Sequence, residues 1–251
     1  IDIDIHAVEV AKFSLLIKLI EDETAPSVSE VVPILPDLGD NIQFGNSLVS
    51  QTELNGISGA NRQMMEIAPF DWSTINNGCG FDVIIGNPPY VNTEGMHALL
   101  PSAEVEIYKK KYKTSHKQFD KYFIFIEQAI NKINENGLVC YIVPNKFFKI
   151  GAGEKLRNLI AKERMLVSLD DFGDAQLFED KTIYSSIILL SKAKQTSFVY
   201  SSVDSANKLW AGEEVSSIEL NSSVLNKLPW RLTTDFEFLT MLQRLDEVSV
   251  P

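Results

Sequence analysis

The stretch FDVIIGNPPY, Phe81 to Tyr90, leads an apolar strand into four residues whose types could hold an amine. Two consecutive prolines have no N–H to donate, and the residue before a proline is kept out of helical backbone. Pro88 therefore presents its carbonyl without a competing ladder partner, and the Asn87 side chain is fixed beside it. Two acceptors on a rigid corner next to an aromatic ring suit a planar substrate with an NH2 group. The alternative, a strand terminator with an exposed ring, leaves Asn87 unexplained.

Two further polar clusters also follow predicted strands. They are DID at Asp2 to Asp4 and GNS at Gly45 to Ser47. Ligands of open parallel sheets bind beyond the carboxyl ends of the strands, and an acid placed there can hold ribose hydroxyls. Taken singly, however, the two acids are also typical of a helix cap and a solvated strand end, and Asn46 is typical of a turn. The agreement of three such clusters carries more weight than any one of them.

Helical and strand periodicities alternate along the chain, and Asp4 is placed to cap the first helix. Helices are predicted at Ala7–Ile20, Gln63–Ile67, Lys117–Glu135 and Gly153–Glu163. Strands are predicted at Ile1–Ile5, Asn41–Val49, Phe81–Ile85, Leu138–Pro144, Met165–Phe172 and Thr182–Lys192, with a short edge strand at Thr196–Ser202. Strands separated by helices are typical of an α/β layered domain with a mostly parallel sheet.

The charge composition limits the kinds of partner that the protein surface can bind. The 251 residues include 23 Lys and Arg against 34 Asp and Glu, a net charge of -11, so the surface as a whole should repel nucleic acid. A polyanion would need a local basic patch or another part of a larger protein. Lys109 to Lys121 holds six lysines within thirteen residues. Of these, Lys109, Lys110, Lys111 and Lys113 are candidates for DNA phosphate contacts, although a solvated helix and loop face explains them equally well.

Neither a disulfide framework nor a metal site is predicted. The two cysteines, Cys79 and Cys140, are isolated, and the acidic pair Asp170 and Asp171 has no third ligand nearby. No signal peptide is found and no apolar run is long enough to span a bilayer, so we expect a cytoplasmic protein.

The stretch FDVIIGNPPYV resembles the catalytic motif of S-adenosylmethionine-dependent adenine-N6 DNA methyltransferases, in the class whose cofactor motifs precede the catalytic one. IDIDIHAVEVAK resembles the acidic ribose-binding motif of this family, and IQFGNSL its adenine-binding motif. FDKYFIFIEQAINKINENGLVCYIVPNKFF resembles its next helix–strand unit, and DFGDAQLFEDKTIYSSIILLSK its final motif. These motifs follow the order of the family over residues 1 to about 200. With FDW at Phe70 to Trp72, the chain looks most like the methyltransferase region of large fused type II restriction–modification enzymes.

The resemblance implies a Rossmann-like methyltransferase fold. Residues 1–200 would form a partial catalytic domain, and residues 201–251 an extension leading towards a target-recognition domain outside this chain. The chain begins in what reads as the end of a strand. The glycine-rich cofactor loop of the family, with its strand, should lie some twenty residues before Asp2 and is therefore expected to be missing. We accordingly expect little cofactor binding, and no activity, from the chain alone.

The resemblance also implies roles in binding S-adenosylmethionine. Asp2 would bind the ribose, and Ile3 would lie against the cofactor adenine. Asn46 stands where the family usually has an Asp that contacts the adenine amine. An amide oxygen can accept the same hydrogen bond, but without the assistance of a charge.

The remaining roles concern the target base in double-stranded DNA. Asn87 and the Pro88 carbonyl would hold the target amine, Tyr90 would stack on the base, and Phe178 would supply a second stacking face. Two alternatives stay open at this stage. Enzymes with NPPY also methylate glutamine side chains in proteins and exocyclic amines in RNA. A degenerate methyltransferase fold could also serve as a non-catalytic interaction module.

Overall fold

A computed structural model of the protein describes residues 1–21, 36–54, 60–75, 78–177, 184–238 and 240–241. The chain divides into two compact units. The first comprises Ile1–Gly78 and Leu100–Tyr108, and the second Cys79–Leu99 and Lys109–Pro251. In the described parts of the chain, none of the helices combines the length and apolar character needed to cross a membrane.

The α-helices of the described residues are α1 (Ile5–Ile20), α2 (Gln51–Leu54), α3 (Ala60–Ile67), α4 (Thr93–Leu99), α5 (Ser102–Lys111), α6 (Lys121–Lys132), α7 (Glu154–Lys162) and α8 (Ala206–Trp210). The strands are β1 (Phe81–Gly86), β2 (Ile133–Pro144), β3 (Leu166–Gln176), β4 (Tyr184–Ser191), β5 (Ser197–Ser202) and β6 (Ser216–Asn221). The predicted α1 is confirmed, and Asp4 caps it by accepting hydrogen bonds from the backbone N–H groups of His6 and Ala7.

All six strands form one sheet in the second unit, in the order β1-β2-β4-β3-β5-β6. The pairs β1–β2 and β3–β5 are parallel, whereas β4 runs antiparallel to both β2 and β3, and β6 antiparallel to β5. Four strands therefore run in one direction and two against it. The predicted α/β class with a mostly parallel sheet is confirmed in this sense.

The core of the second unit forms where α6 packs on the sheet. Helix α6 buries a face that includes Phe123, Ile126 and Ile130, and β2 contributes Val139 and Val143. Burial of each such side chain contributes about 1.5–3 kcal/mol, so this interface fixes the end of β2 relative to the helix.

The boundary between α6 and β2 differs from the prediction. The predicted helix Lys117–Glu135 is confined to α6, and the residues that were expected to end it already belong to β2. Ile133 pairs with Phe81 of β1, and a Cβ on Gly137 would lie 2.7 Å from the Phe81 carbonyl oxygen. The glycine therefore allows the close approach of two strands instead of ending a helix.

Three other predictions about strands need correction. The predicted strand Ile1–Ile5 contains only the isolated bridge of Asp2, and Ile5 already begins α1. The predicted strand Asn41–Val49 consists only of isolated bridges, Asp2 with Phe44 and Asn46 with Pro69. The predicted edge strand at Thr196–Ser202 lies inside the sheet as β5, because the unpredicted β6 pairs with its outer side. The domain boundary at residue 200 stays a prediction.

Candidate functional site

Strand β1 ends in a corner at the carboxyl end of the sheet. Gly86 still pairs with Tyr141 of β2, and Asn87 to Tyr90 then leave the sheet. Pro88 is buried, and within the described residues its carbonyl accepts no hydrogen bond. Asn87 is exposed beside it. The rigid corner with a free carbonyl and an accessible amide thus has the local form that the sequence predicts.

The Tyr90 hydroxyl is tied back to this corner. It lies 2.5 Å from Asn87 Oδ1 and 3.0 Å from the Ile142 carbonyl oxygen, so its single proton is shared between two acceptors. Burial raises the pKa of Tyr90 to about 12, which keeps the phenol a hydrogen-bond donor at neutral pH. The Asn87 oxygen is thereby oriented, and its second lone pair can still accept a hydrogen bond from an amine.

A cavity of about 560 Å³ opens beside Tyr90 in the second unit. Its walls combine aromatic, amide and charged side chains, and they consist of Tyr90, Val91, Asn92, Gly95, Leu99, Asp120, Pro144, Asn145, Lys146 and Tyr184. Its size and mixed lining suit a small planar ligand. The sequence reasoning missed Asp120, Lys146 and Tyr184. The signal for Lys146 was available, because it follows the carboxyl end of β2 just as Asn87 follows that of the parallel strand β1.

Phe178, the predicted second stacking residue, lies outside the residues that the structure describes. Its assigned role therefore stays a prediction. The structure brings together the other three predicted target-site residues, Asn87, Pro88 and Tyr90.

In the first unit, the predicted cofactor residues lie on neighbouring segments. Asp2 forms a parallel bridge with Phe44, and its backbone carbonyl accepts a hydrogen bond from the Gly45 N–H at 2.8 Å. The Asp2 carboxylate is exposed and accepts one hydrogen bond, from the Asp4 N–H through Oδ1. Ile3 is also exposed, with 48% of its surface accessible. A polar diol and an apolar ring face could both be accommodated at this exposed segment before α1.

Asn46 has a different environment from the one expected. It is buried, and its amide NH2 donates to Glu104 Oε1 at 2.9 Å, while its Oδ1 accepts from the Leu48 N–H at 3.1 Å. The Tyr108 hydroxyl also donates to Glu104 Oε1. No sequence pattern indicates this network, because Glu104 is 58 residues away along the chain. A buried carboxylate thus lies next to the amide that stands where the family usually has an Asp.

The turn that carries Asn46 is held by the FDW segment. Gly45 adopts a φ of +147°, and a Cβ there would lie 2.9 Å from the Phe70 ring. That ring meets Trp72 edge to face at 5.2 Å, and the Trp72 indole N–H donates to the Ser47 carbonyl at 3.0 Å. Glycine is therefore required both by conformation and by contact.

The predicted phosphate contacts surround the end of α5. Lys109, Lys110 and Lys113 are exposed, and Lys109 Nζ lies 3.4 Å from His97 Nε2. Lys111 lies over the Tyr112 ring at 5.3 Å from its centre. The role of these lysines in DNA binding stays a prediction. Across the described ranges, no group of three or more His, Cys, Asp or Glu side chains could hold a metal ion.

Comparisons with known proteins identify the family of the chain. The profile of the family described as "Eco57I restriction-modification methylase" matches residues 1–178. The "Type II restriction enzyme and methyltransferase RM.Eco57I" of Escherichia coli is 39% identical over 236 residues, covering 90% of this chain and 23% of that protein. The "Type II methyltransferase M.XhoI" of Xanthomonas vasicola is 27% identical over 184 residues, covering 66% of this chain and 33% of that protein.

Among solved structures, the Type IIL restriction-modification enzyme MmeI in complex with DNA aligns with a TM-score of 0.45 and 16% identity, over 60% of this chain and 20% of that one. The chain thus spans about a quarter to a third of the curated relatives named above.

Proposed function

Because this chain belongs to the Eco57I restriction-modification methylase family, we propose that it transfers a methyl group from S-adenosylmethionine to the N6 amine of adenine in DNA, as part of a restriction–modification protein. The observation that carries the proposal is the corner after β1. There, the Asn87 amide oxygen accepts a hydrogen bond from the Tyr90 hydroxyl, the Pro88 carbonyl has no partner within the described residues, and Tyr90 lines a cavity.

The corner suits the chemistry of an aromatic amine. In adenine, the N6 lone pair is delocalised into the ring, so the nitrogen is a poor nucleophile. Hydrogen bonds from its two protons to Asn87 Oδ1 and the Pro88 carbonyl favour a pyramidal nitrogen with a localised lone pair. These acceptors are already in place before the reaction, so they stabilise the transition state without reorganising. No strong base is required before transfer.

A base must leave the DNA duplex to reach this corner. Extrusion costs roughly a few kcal/mol, and stacking on an aromatic ring returns about 1–3 kcal/mol per base. Tyr90 is available for such stacking because it lines the cavity. We assign Phe178 to the opposite face of the base, following the family resemblance.

S-adenosylmethionine, when bound, supplies an electrophilic methyl group. Asp2 and Ile3 fit its ribose and adenine, since an exposed carboxylate and an exposed apolar side chain follow each other just before α1. Asn46 fits less directly, because its amide is buried and already bonded to Glu104 and the Leu48 N–H. Only the second lone pair of Asn46 Oδ1 is left for the cofactor amine.

The proposed partner is double-stranded DNA, bound by the full-length protein in the cytoplasm together with nuclease and target-recognition domains outside this chain. The chain spans only 23% of RM.Eco57I, which is described as both restriction enzyme and methyltransferase. The strongly negative net charge also favours DNA binding by other parts of the protein, with Lys109, Lys110, Lys111 and Lys113 adding local phosphate contacts.

The test uses the full-length protein with labelled S-adenosylmethionine and, in separate reactions, DNA, RNA and a glutamine-bearing protein substrate. Wild type should label DNA, and nucleoside analysis should find N6-methyladenine. Asn87→Ala should lower the rate by about a hundredfold or more, since a preorganised transition-state contact is lost. Asn136→Ala is the matched control, because Asn136 is exposed near the opposite end of β2. An Asn87→Ala protein that works at the wild-type rate would show that the corner is not catalytic.

A further inference from the structure

A buried carboxylate lines the cavity beside Tyr90. Asp120 occupies the N-cap position of α6, yet its side chain makes no capping hydrogen bond to the helix. Its Oδ2 instead accepts a hydrogen bond from Lys146 Nζ at 2.7 Å, and its buried Oδ1 has no partner within the described residues. An N-cap Asp normally stabilises its helix. Here that contribution is given up in favour of an ion pair on the cavity wall.

Lys146 supplies the cation of this wall. It follows β2 in the short 3-10 turn Asn145–Phe148, and 48% of its side chain is accessible. The hydrogen bond to Asp120 uses one of the three ammonium protons, and the described part of the chain shows no other partner for Nζ. Two N–H donors are therefore left on a cation that lines the same cavity as Tyr90.

The backbone around the pair is well fixed. Asp120 forms an antiparallel bridge with Asn92, and the Lys121 N–H donates to the Val91 carbonyl at 2.8 Å. On the other side, the buried Arg157 donates to the Phe147 carbonyl in the turn that carries Lys146. The backbone segments that carry Asp120 and Lys146 are thus both anchored, and the hydrogen bond to Asp120 holds the ammonium group on the cavity wall.

We propose that Lys146 donates a hydrogen bond to a ring nitrogen of the target adenine, and that Asp120 is the positioning residue that holds Lys146 in place. This inference rests on the function proposed above. Once the amine is held by Asn87 and Pro88, the polar atoms that remain on adenine are N1, N3 and N7, and all of them are acceptors. An ammonium donor complements them. Guanine presents an N1–H donor but keeps N3 and N7 as acceptors, so the contact favours adenine over guanine if it is made at N1.

The decisive experiment pairs a protein variant with base analogues. The full-length protein is assayed on duplexes whose target adenine is replaced by 1-deaza-, 3-deaza- or 7-deazaadenine, each of which keeps the N6 amine and lacks one ring nitrogen. Lys146→Met should slow transfer to adenine by about 10- to 100-fold, the effect of losing a charged hydrogen bond. Replacing the target adenine by one of the three analogues should slow transfer by the wild type by a similar factor. The same replacement should not slow transfer by Lys146→Met any further. Lys149→Met, on an exposed lysine three residues away, is the control.

The positioning role has its own readout. Asp120→Asn should reduce the discrimination between adenine and that one analogue, whereas Lys146→Met should abolish it. Thermal unfolding of each variant shows whether the fold is retained. A purely structural role would lower the rates on adenine and on all three analogues by one common factor.

The outcomes separate the two proposals. If wild type labels adenine but no analogue shows coupling to Lys146, the contact to a ring nitrogen is refuted and the proposed function stands. If wild type labels no adenine in DNA, the proposed function fails and this inference fails with it.

Discussion

Restoring the usual residue of the family, by the substitution Asn46→Asp, is expected to destabilise this protein. The Asn46 NH2 group donates to Glu104 Oε1 at 2.9 Å inside the first unit, and both side chains are buried. The substitution replaces this donor with a carboxylate oxygen. Two negatively charged acceptors then lie at hydrogen-bond distance. Their repulsion lowers the stability of the folded state.

The magnitude follows from the distance. Two unit charges at this separation repel by roughly 6 kcal/mol at an effective dielectric constant of about 20. The pair can avoid this by taking up one proton, which costs about 1.4 kcal/mol for each pH unit above the ordinary carboxyl range. Proton uptake therefore limits the loss to about 4 kcal/mol at pH 7, and to about 2 kcal/mol at pH 5.5. The destabilisation should shrink as the solution is acidified.

Urea denaturation at both pH values measures this loss, and hydrogen exchange of the peptide around Asn46 locates it in the first unit. The double variant Asn46→Asp/Glu104→Gln is the matched control. It exchanges the amide and the carboxylate between the two positions, so it should recover most of the stability. If Asn46→Asp is as stable as wild type at pH 7, the reasoning from the hydrogen bond to Glu104 is refuted.

Two further predictions concern the second unit. Arg157 donates hydrogen bonds to three backbone carbonyls, those of Phe147, Ile150 and Lys227. Lysine lacks the planar guanidinium, so Arg157→Lys should lower the free energy of unfolding, measured by urea denaturation, by about 2–4 kcal/mol. An unchanged denaturation midpoint would contradict this. Burial raises the pKa of Tyr90 from 10.0 to about 12, so stability due to its neutral phenol should persist below pH 10 and decline as the pH rises through 12. In an ultraviolet titration, Tyr90→Phe should have one tyrosine fewer than wild type that ionises near pH 12. If Tyr90 ionises at its ordinary pKa, burial does not shift it.

Much of the corner could be predicted from the sequence because its properties are local. Consecutive prolines restrict the backbone through covalent geometry, whatever surrounds them. The cap at Asp4 likewise depends on bonds to residues two and three positions away. Helix α6 was found from its periodicity, but its end was misplaced, since the approach of β1 to Gly137 involves a distant strand.

The remainder of the candidate site depends on contacts between residues far apart in the chain. From the sequence, Asn46 is predicted to accept a hydrogen bond from the cofactor. In the structure, its NH2 group donates a hydrogen bond to Glu104, 58 positions later. Asp120 falls inside the predicted helix Lys117–Glu135, whereas in the structure its carboxylate accepts a hydrogen bond from Lys146, 26 positions later, on a cavity wall. No periodicity or short motif encodes such pairs.

The sequence by itself determined the NPPY corner, the α/β class and the family. The corner depends on backbone restriction between adjacent residues, and the class and family depend on the order of elements and motifs in the chain. Only the tertiary structure decided which side chains complete the corner. The energy of a buried ion pair or amide–carboxylate bond depends on distance and on exclusion of water, and folding alone sets both.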